Sequence, residues 1–277
     1  RLPGILPPMT EAETLDTSRI YSVLGLLDSR HPLLRRRPFR SPHHTVSDAG
    51  LLGGGTNPQP GEISLAHNGV LFLDELPEFK RSVLETLRQP IESGTVTVSR
   101  ASGSFDFPCE FILLAAMNPC PCGHYGDRLR VCRCGQKRIQ DYRAKISGPL
   151  MDRIDLHVEV SSLTENELIN APDGETSARI RARVIKAREL QNRRFAGNPR
   201  VRCNARMEPS DIHKFCSITQ EAKNQLRHTI TEFGLSARAY DRILRVARTV
   251  ADLDGSEQIS SDHIYEAINY RSLDRRL

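Results

Sequence analysis

Two adjacent carboxylates, Asp74 and Glu75, come directly after the apolar run Val70–Leu73. The run predicts a buried strand of parallel type, so both carboxylates would lie at the carboxyl edge of a sheet, where ligands bind. There Asp74 could hold Mg²⁺ through its water shell, and Glu75 could orient the water that attacks a γ-phosphate. This is the Walker B pattern, although an apolar run that ends in Asp-Glu is by itself often an ordinary strand end.

Three polar residues further along the chain could complete such a site. Asn118 follows a second apolar run, Phe111–Ala116, predicted as a buried strand, and could hydrogen-bond the attacking water or the γ-phosphate. Arg153 precedes the alternating segment Asp155–Val160, a predicted third strand, and could reach the nucleotide of a neighbouring subunit. Arg238 opens a predicted helix. Each residue alone could be a solvated or capping side chain, so their order and spacing carry the interpretation.

Four cysteines within 15 residues have the chemistry of a metal site. They form two C-x-C pairs separated by nine residues: Cys120, Cys122, Cys132 and Cys134. Four thiolates suit tetrahedral Zn²⁺, and His124 could replace one of them. Because four ligands leave no open coordination position, the zinc ion would be structural and would brace the segment that contains Asn118. The alternative is a group of reduced, unmetallated thiols in a surface loop.

The composition excludes several classes of protein. The chain has 277 residues, a net charge of +5 and 38% hydrophobic residues, which is too apolar for a wholly disordered chain. It has no apolar run long enough for a membrane span and no pattern of a signal peptide, so a cytoplasmic location is expected. Residues 175–202 contain nine basic side chains against Glu175 and Glu189. This segment fits contact with DNA phosphates or, alternatively, a solvated helix face.

The elements that must position these residues change in character along the chain. Residues 1–160 alternate apolar runs with helical patterns, which predicts an α/β domain with a parallel sheet, whereas residues 161–277 predict helices alone. In the first part we expect a long functional loop over residues 31–62, outside the core. A helix over residues 82–91 and a β-hairpin over residues 95–108 complete the prediction there.

In the second part we expect one long basic helix over residues 175–195. Further helices are predicted to begin at capping residues: Ser210, Thr219, Ser236 and Ser260. An apolar stripe at helical spacing predicts the side of one helix that faces the core: Ile243, Val246, Ala247 and Val250.

Four stretches together resemble the YifB/ComM-type magnesium-chelatase-like AAA+ ATPases: Arg37–His44, Gly61–Glu75, Ala116–Gly123 and Ser147–Asp155. The resemblance covers essentially the whole chain. It implies an α/β fold in which an incomplete AAA+ P-loop NTPase core (residues 1–160) is followed by an all-α lid domain (residues 161–277) similar to the magnesium chelatase C-terminal region.

The resemblance also implies a role for each candidate residue. Asp74 and Glu75 match the Walker B motif, Asn118 matches sensor 1, Arg153 matches the arginine finger that acts in trans, and Arg238 matches sensor 2. ATP and Mg²⁺ are the implied cofactors, and a homo-oligomeric ring, hexameric by expectation, is the implied assembly. The loop near residues 45–62 and the hairpin near residues 95–108 match insertions that face the central channel in related ring helicases.

One departure from the family pattern concerns phosphate binding. The chain contains no G-x-x-x-x-G-K-[ST] motif, and none of its glycines precedes a lysine. In the family, the stretch that resembles Arg1–Pro8 follows the helix of that motif. We therefore expect that the chain begins about one helix after the Walker A loop and that a Lon-protease-like domain also lies upstream. ATPase activity is expected of the full-length protein and not of this chain alone.

The resemblance favours a ring-forming ATPase that couples ATP hydrolysis to DNA remodelling, similar to the branch-migration helicase of natural transformation. One alternative is a motor subunit of magnesium chelatase in tetrapyrrole synthesis. Another alternative is a non-catalytic remnant that binds DNA or a partner, because the Walker A motif is absent from the chain. The translated sequence upstream of Arg1 would distinguish an enzyme from a remnant.

Overall fold

The computed structural model describes residues 2–55, 58–100, 103–127, 129–164, 167, 169–170, 174–198, 201–233 and 236–271. Parts of the predicted insertions and of the basic segment lie outside the described residues: 56–57, 101–102 and 199–200. The chain divides into two compact units. The sheet unit comprises Pro8–Arg153 and Ser161–Pro172, and the helical unit comprises Arg1–Pro7, Ile154–Val160 and Asp173–Leu277. In the described part of the chain, no helix is both long and apolar enough to cross a membrane.

The sheet unit combines short strands with short helices. Its strands are β1 (Phe39–Arg40), β2 (Gly53–Gly54), β3 (Gln59–Pro60), β4 (Val70–Leu73), β5 (Thr95–Arg100), β6 (Gly103–Pro108) and β7 (Ile112–Ala115). Its helices are α1 (Glu11–Val23), α2 (Asp48–Leu52), α3 (Glu62–Leu65), α4 (Arg81–Thr86), α5 (Arg88–Ser93), α6 (Gln136–Arg143) and α7 (Gly148–Met151), with a 3₁₀ turn over Leu76–Glu78.

Strand β4 is the centre of a three-stranded parallel sheet, with β1 on one side and β7 on the other. Its side chains Val70, Leu71 and Leu73 are completely buried, as the apolar run predicts. A Cβ on Gly69 would come within 2.1 Å of the Pro38 carbonyl oxygen, so glycine is needed where β1 and β4 begin to pair. The predicted parallel sheet is confirmed, and the carboxyl ends of β4 and β7 lie at the same edge.

Helix α1 is fixed to the start of this sheet by a largely buried ion pair. Thr10 and Glu13 form a capping box at the N-terminus of the helix. Arg37 donates to Glu13 Oε2 at 2.9 Å and to the Asn68 carbonyl oxygen at 2.7 Å. These charge-assisted bonds tie the residues that precede β1 and β4 to α1.

The predicted hairpin is confirmed, because β5 and β6 pair antiparallel along their whole length. The predicted helix over residues 82–91 is instead two helices, α4 and α5, that meet at Leu87. Pro90 has no amide hydrogen and cannot donate to the Thr86 carbonyl oxygen, which explains the break.

The segment of residues 31–62 is more ordered than a loop, so that prediction is wrong in part. It contains β1, α2, β2 and β3. Ser47 caps α2 by accepting a hydrogen bond from the Gly50 amide. This turn of helix completely buries the Leu51 side chain, so the segment contributes to the core.

The predicted strand over Asp155–Val160 is wrong. The segment forms no ladder with any described strand. Its His157 amide donates to the Tyr270 carbonyl oxygen at 2.6 Å, and Val158 and Val160 are exposed. Alternating apolar residues favour extended backbone, but a strand also requires a neighbouring strand. Strand β7 forms within the predicted run, but the prediction that it is buried is wrong. Ile112 and Leu114 are exposed on one face of this edge strand, and the residues on its other face are only partly buried.

In the described residues of the helical unit the regular elements are helices, as predicted for residues 161–277. They are α8 (Ser177–Arg194), α9 (Pro209–Phe215), α10 (Gln220–Phe233), α11 (Ala237–Asp254) and α12 (Ser261–Asn269), with 3₁₀ turns at Leu2–Gly4 and Asn204–Arg206. Thr219, Ser236 and Ser260 cap α10, α11 and α12 as expected. Helix α9 begins earlier than predicted, because Glu208 rather than Ser210 supplies its cap.

Helix α11 buries charged residues together with its apolar stripe. Ile243 and Ala247 lie in the core as predicted, but so do Arg248 and Asp252, one turn apart on the same helix. Asp252 accepts hydrogen bonds from Arg248, from Arg194 of α8 and from the Asn204 side-chain amide. Burial lowers the pKa of the Arg248 guanidinium, and the Asp252 carboxylate opposes that shift. The network joins α8 to α11 through one fully paired carboxylate.

We expect Asp252→Ala to destabilise the helical unit by about 3–5 kcal/mol, because two largely buried guanidinium groups would lose their shared anion. Urea unfolding followed by circular dichroism measures the change. Glu221→Gln, at an exposed position of α10, is the control and should cost less than about 1 kcal/mol. Equal small losses in both variants would mean that the network does not stabilise the unit.

Candidate nucleotide site and cysteine cluster

The two predicted carboxylates lie exposed immediately after the central strand β4. Glu75 adopts the left-handed conformation, with φ 52° and ψ 46°, which is unusual for a residue other than glycine. Its amide donates to Asp74 Oδ1 at 2.9 Å, and the next amide, that of Leu76, donates to the Ala116 carbonyl oxygen beyond β7. This sharp turn keeps both carboxylates at the sheet edge, and such strained conformations concentrate at functional sites.

A histidine that the sequence did not single out for a role contacts Glu75. His44 Nδ1 lies 3.3 Å from Glu75 Oε2, and its ring packs edge-on against Phe79 and at a tilt of 34° against His43. His44 follows β1, the strand beside β4. One pattern in the sequence could have indicated His44: it is a polar residue shortly after β1, the strand that pairs with β4, and Asp74 and Glu75 follow β4.

Asn118 is exposed three residues after β7, at the same sheet edge as the carboxylates. Two side chains of α6, Arg143 and Tyr142, lie close to the segment that contains Asn118. Arg143 Nε donates to the Pro119 carbonyl oxygen at 3.2 Å. Burial raises the pKa of the Tyr142 phenol, and the phenol receives a backbone hydrogen bond from Asn118 that lowers it.

The four cysteines form one cluster, as their spacing predicts. Their sulfur atoms all lie within 4.8 Å of one another. The separation between Cys120 Sγ and Cys122 Sγ is 3.4 Å, and Cys132 Sγ lies 3.7 Å from both. Four thiolates at Zn–S distances of about 2.3 Å around a tetrahedral ion would be about 3.8 Å apart. The donor set and the spacing therefore fit zinc, whereas His124 pairs with Asp127 at 3.8 Å.

The electrostatics of the cluster favour a cation at its centre. Hydrogen bonds from the His124 and Arg133 amides lower the pKa of Cys122 to about 6. The Cys134 amide also donates to Cys132, but burial and the neighbouring sulfurs raise the pKa of Cys132 to about 12. Without a cation, one ionised sulfur thus opposes the ionisation of the next. A divalent ion removes that opposition, because it stabilises coordinating thiolates.

Arg153 is less accessible than an arginine finger must be. Its side chain is 10% exposed, and its guanidinium lies 2.7 Å from Glu92 Oε1 and donates to the Pro149 carbonyl oxygen at 2.6 Å. Both partners belong to the sheet unit. Any contact with a second molecule would require Arg153 to leave Glu92.

Arg238 belongs to the helical unit and lies exposed in the first turn of α11, after the cap Ser236. The sheet unit thus brings Asp74, Glu75 and Asn118 to one edge and holds Arg153 on Glu92.

The predicted basic segment forms α8, but several of its arginines are engaged within the helical unit. Arg183 pairs with Glu175 at 2.7 Å, Arg188 donates to Gln191, and Arg194 is committed to Asp252. The helix therefore offers less free positive charge than its composition indicates.

Family models and individual relatives both relate this chain to magnesium-chelatase-like proteins. The family model described as magnesium chelatase, subunit ChlI, matches residues 1–168, and the model of the ChlI C-terminal region matches residues 174–271. The competence protein ComM of Haemophilus influenzae is 47% identical and YifB of Salmonella typhimurium is 45% identical, each over all of this chain and 53% of its own length. The chloroplast magnesium-chelatase subunit ChlI-2 of Arabidopsis thaliana is 24% identical over 74% of this chain and 43% of its own length.

The chain spans about half the length of the ComM and YifB relatives that it matches. The parallel sheet of the first matched region and the helices of the second form an AAA+-like α/β domain followed by a helical C-terminal region. The chain therefore belongs to the magnesium-chelatase-like family of the YifB/ComM type.

Proposed function

We propose that this chain is part of an AAA+ ATPase in which Glu75 activates water and Asp74 holds Mg²⁺ bound to ATP. The observation that carries the proposal is the exposed left-handed Glu75, which the buried strand β4 and the Leu76–Ala116 bond hold at the sheet edge. Asn118 at the same edge would contact the attacking water or the γ-phosphate. The phosphate-binding loop would come from outside this chain, so hydrolysis belongs to the full-length protein.

We propose further that residues 1–160 act as the core and residues 161–277 as the lid, in which Arg238 would contact the nucleotide. The whole protein would form a homo-oligomeric ring, hexameric by expectation. In that ring Arg153 would leave Glu92 and reach the nucleotide of the neighbouring subunit, where it would stabilise the charge of the transition state. Family membership supports the ring. Because Arg153 is largely buried against Glu92, its contact with a neighbouring subunit would require the Arg153 side chain to move away from Glu92.

DNA is the proposed substrate of the motor, which would remodel it in the manner of a helicase. The identity of 47% to a protein named competence protein ComM supports this reading over metal insertion into a porphyrin, since ChlI-2 is only 24% identical. All seven cysteines are free of disulfide bonds in the described chain, as is usual for proteins of a reducing compartment, and we propose a cytoplasmic location.

We propose that the cysteine cluster binds one structural Zn²⁺. Cys120 begins two residues after Asn118, so the ion would brace the segment that follows β7. The support is the spacing of the sulfur atoms and the fit of four thiolates to a tetrahedral ion.

Glu75→Gln in the full-length protein should retain ATP binding and reduce ATP turnover by at least about 100-fold, because the amide cannot polarise the water. Nucleotide binding by fluorescence and phosphate release measure the two properties. Glu78→Gln, an exposed neighbour paired with Lys145, should hydrolyse ATP at nearly the wild-type rate. Full turnover in Glu75→Gln would contradict the proposed role.

Arg153→Ala subunits and Glu75→Gln subunits should each be inactive alone and should regain part of the ATPase activity when they are mixed. One interface in such a ring combines an intact Glu75 with an intact Arg153 from its neighbour. ATPase assays over a series of mixing ratios measure the recovery, with mixed rings verified by affinity tags. If verified mixed rings stay inactive, Arg153 acts within its own subunit.

The purified protein should contain about one Zn²⁺ per chain without added metal. Elemental analysis should find almost none in a Cys120→Ser/Cys132→Ser variant. Cys203→Ser, which lies outside the cluster, should keep the full metal content. Equal zinc in all three proteins, or none in the wild type, would exclude the cysteine site.

A further inference from the structure

The loop that carries the second cysteine pair presents a group of cations to solvent. We call the described residues 120–127 and 129–138 the cysteine knuckle. Its exposed cations are Arg130, Arg133, Lys137 and Arg138. Within the residues that the structure describes, none of the four has an ion-pair partner or a side-chain hydrogen bond. The positive charge of the knuckle is therefore available to an anion outside the chain.

The cluster of sulfur atoms sets the position of these cations. Residues 129–135 contain neither helix nor strand. The loop is held by Asp127, whose carboxylate accepts from the Leu129 and Arg130 amides, and by Cys132 and Cys134 within the cluster. Because Arg133 stands between these two cysteines, its backbone is fixed wherever the sulfur atoms are held together.

The first turn of helix α6 carries positive charge, which the helix dipole disfavours because the N-terminus of a helix is itself partly positive. No acidic residue lies in its first turn, whereas Lys137 and Arg138 do. Cations near a helix N-terminus are unfavourable in isolation, and an external anion relieves both this cost and the repulsion among the cations. Leu129 and Val131 are 61% and 85% exposed beside them, so the loop also presents apolar side chains to solvent.

The basic helix α8 differs in this respect. Arg183 and Arg194 are already paired with Glu175 and Asp252, so their charge is neutralised within the chain. The knuckle has fewer basic residues than the segment of α8, but all four of its described cations are uncommitted.

We propose that the cysteine knuckle is a nucleic-acid contact that binds the phosphate backbone through Arg130, Arg133, Lys137 and Arg138. The inference rests on the proposed action on DNA and locates one surface that performs it. Binding through phosphates is independent of base sequence, and it weakens with salt because each neutralised phosphate releases counterions. The metal site would act as the support that holds the cations in place.

The test compares Arg130→Gln/Arg133→Gln with a charge-matched control, Lys214→Gln/Lys223→Gln, whose lysines are exposed in α9 and α10. Fluorescence anisotropy of the full-length protein with one labelled duplex, at several salt concentrations, gives affinity and its salt dependence. The knuckle variant should bind at least about tenfold more weakly, and its slope of log K against log salt should be shallower by about 1.8. The control should retain the wild-type slope.

Two outcomes would overturn the proposal in different ways. If the wild type binds the duplex and the knuckle variant keeps its affinity and slope, or loses no more than the control, the knuckle is not the contact and the proposed action on DNA stands. If the wild type does not bind DNA at all, both proposals fail. Circular dichroism and zinc content of the knuckle variant, each expected to match wild type, distinguish a lost contact from a lost fold.

Discussion

The burial of strand β4 is the constraint on which the candidate site depends. The strand lies between β1 and β7 in the sheet, and three of its four side chains are completely buried. The strand must therefore end where Asp74 and Glu75 begin, because two adjacent carboxylates cannot be buried without compensating partners. The chain turns sharply through the left-handed Glu75, and the Leu76–Ala116 hydrogen bond ties this turn to the end of the neighbouring strand. The position of the carboxylates thus follows from the packing of the sheet.

The same sheet edge connects to the cysteine cluster through a short series of contacts. Strand β7 leads to Asn118, and Arg143 of α6 holds the segment there through its bond to the Pro119 carbonyl oxygen. Cys120 follows at once and is buried in the cluster. A metal ion would close the loop that begins at β7 and ends at α6. The proposed zinc ligand Cys120 would then lie only two residues from Asn118, the proposed sensor residue.

Local patterns in the sequence predict most of the helices and strands and the positions of several candidate residues. The strand end before Asp74 and Glu75, the grouping of the four cysteines and the hairpin over β5 and β6 each depend on residues close together in the chain, and the structure contains all three. The contacts of His44 with Glu75 and of Arg153 with Glu92 were not foreseen, since each joins side chains distant in sequence. The failed strand over Asp155–Val160 has the same cause, because alternation shows a tendency to extend but does not supply a pairing partner.

We have proposed that the carboxylates after β4 act on bound ATP. A structure of the full-length protein with Mg²⁺ and a non-hydrolysable ATP analogue tests it most directly. We expect the ion to lie within one water of Asp74 and the Glu75 carboxylate to leave His44 and face the γ-phosphate. A nucleotide bound elsewhere, with Asp74 and Glu75 remote from its phosphates, would contradict it.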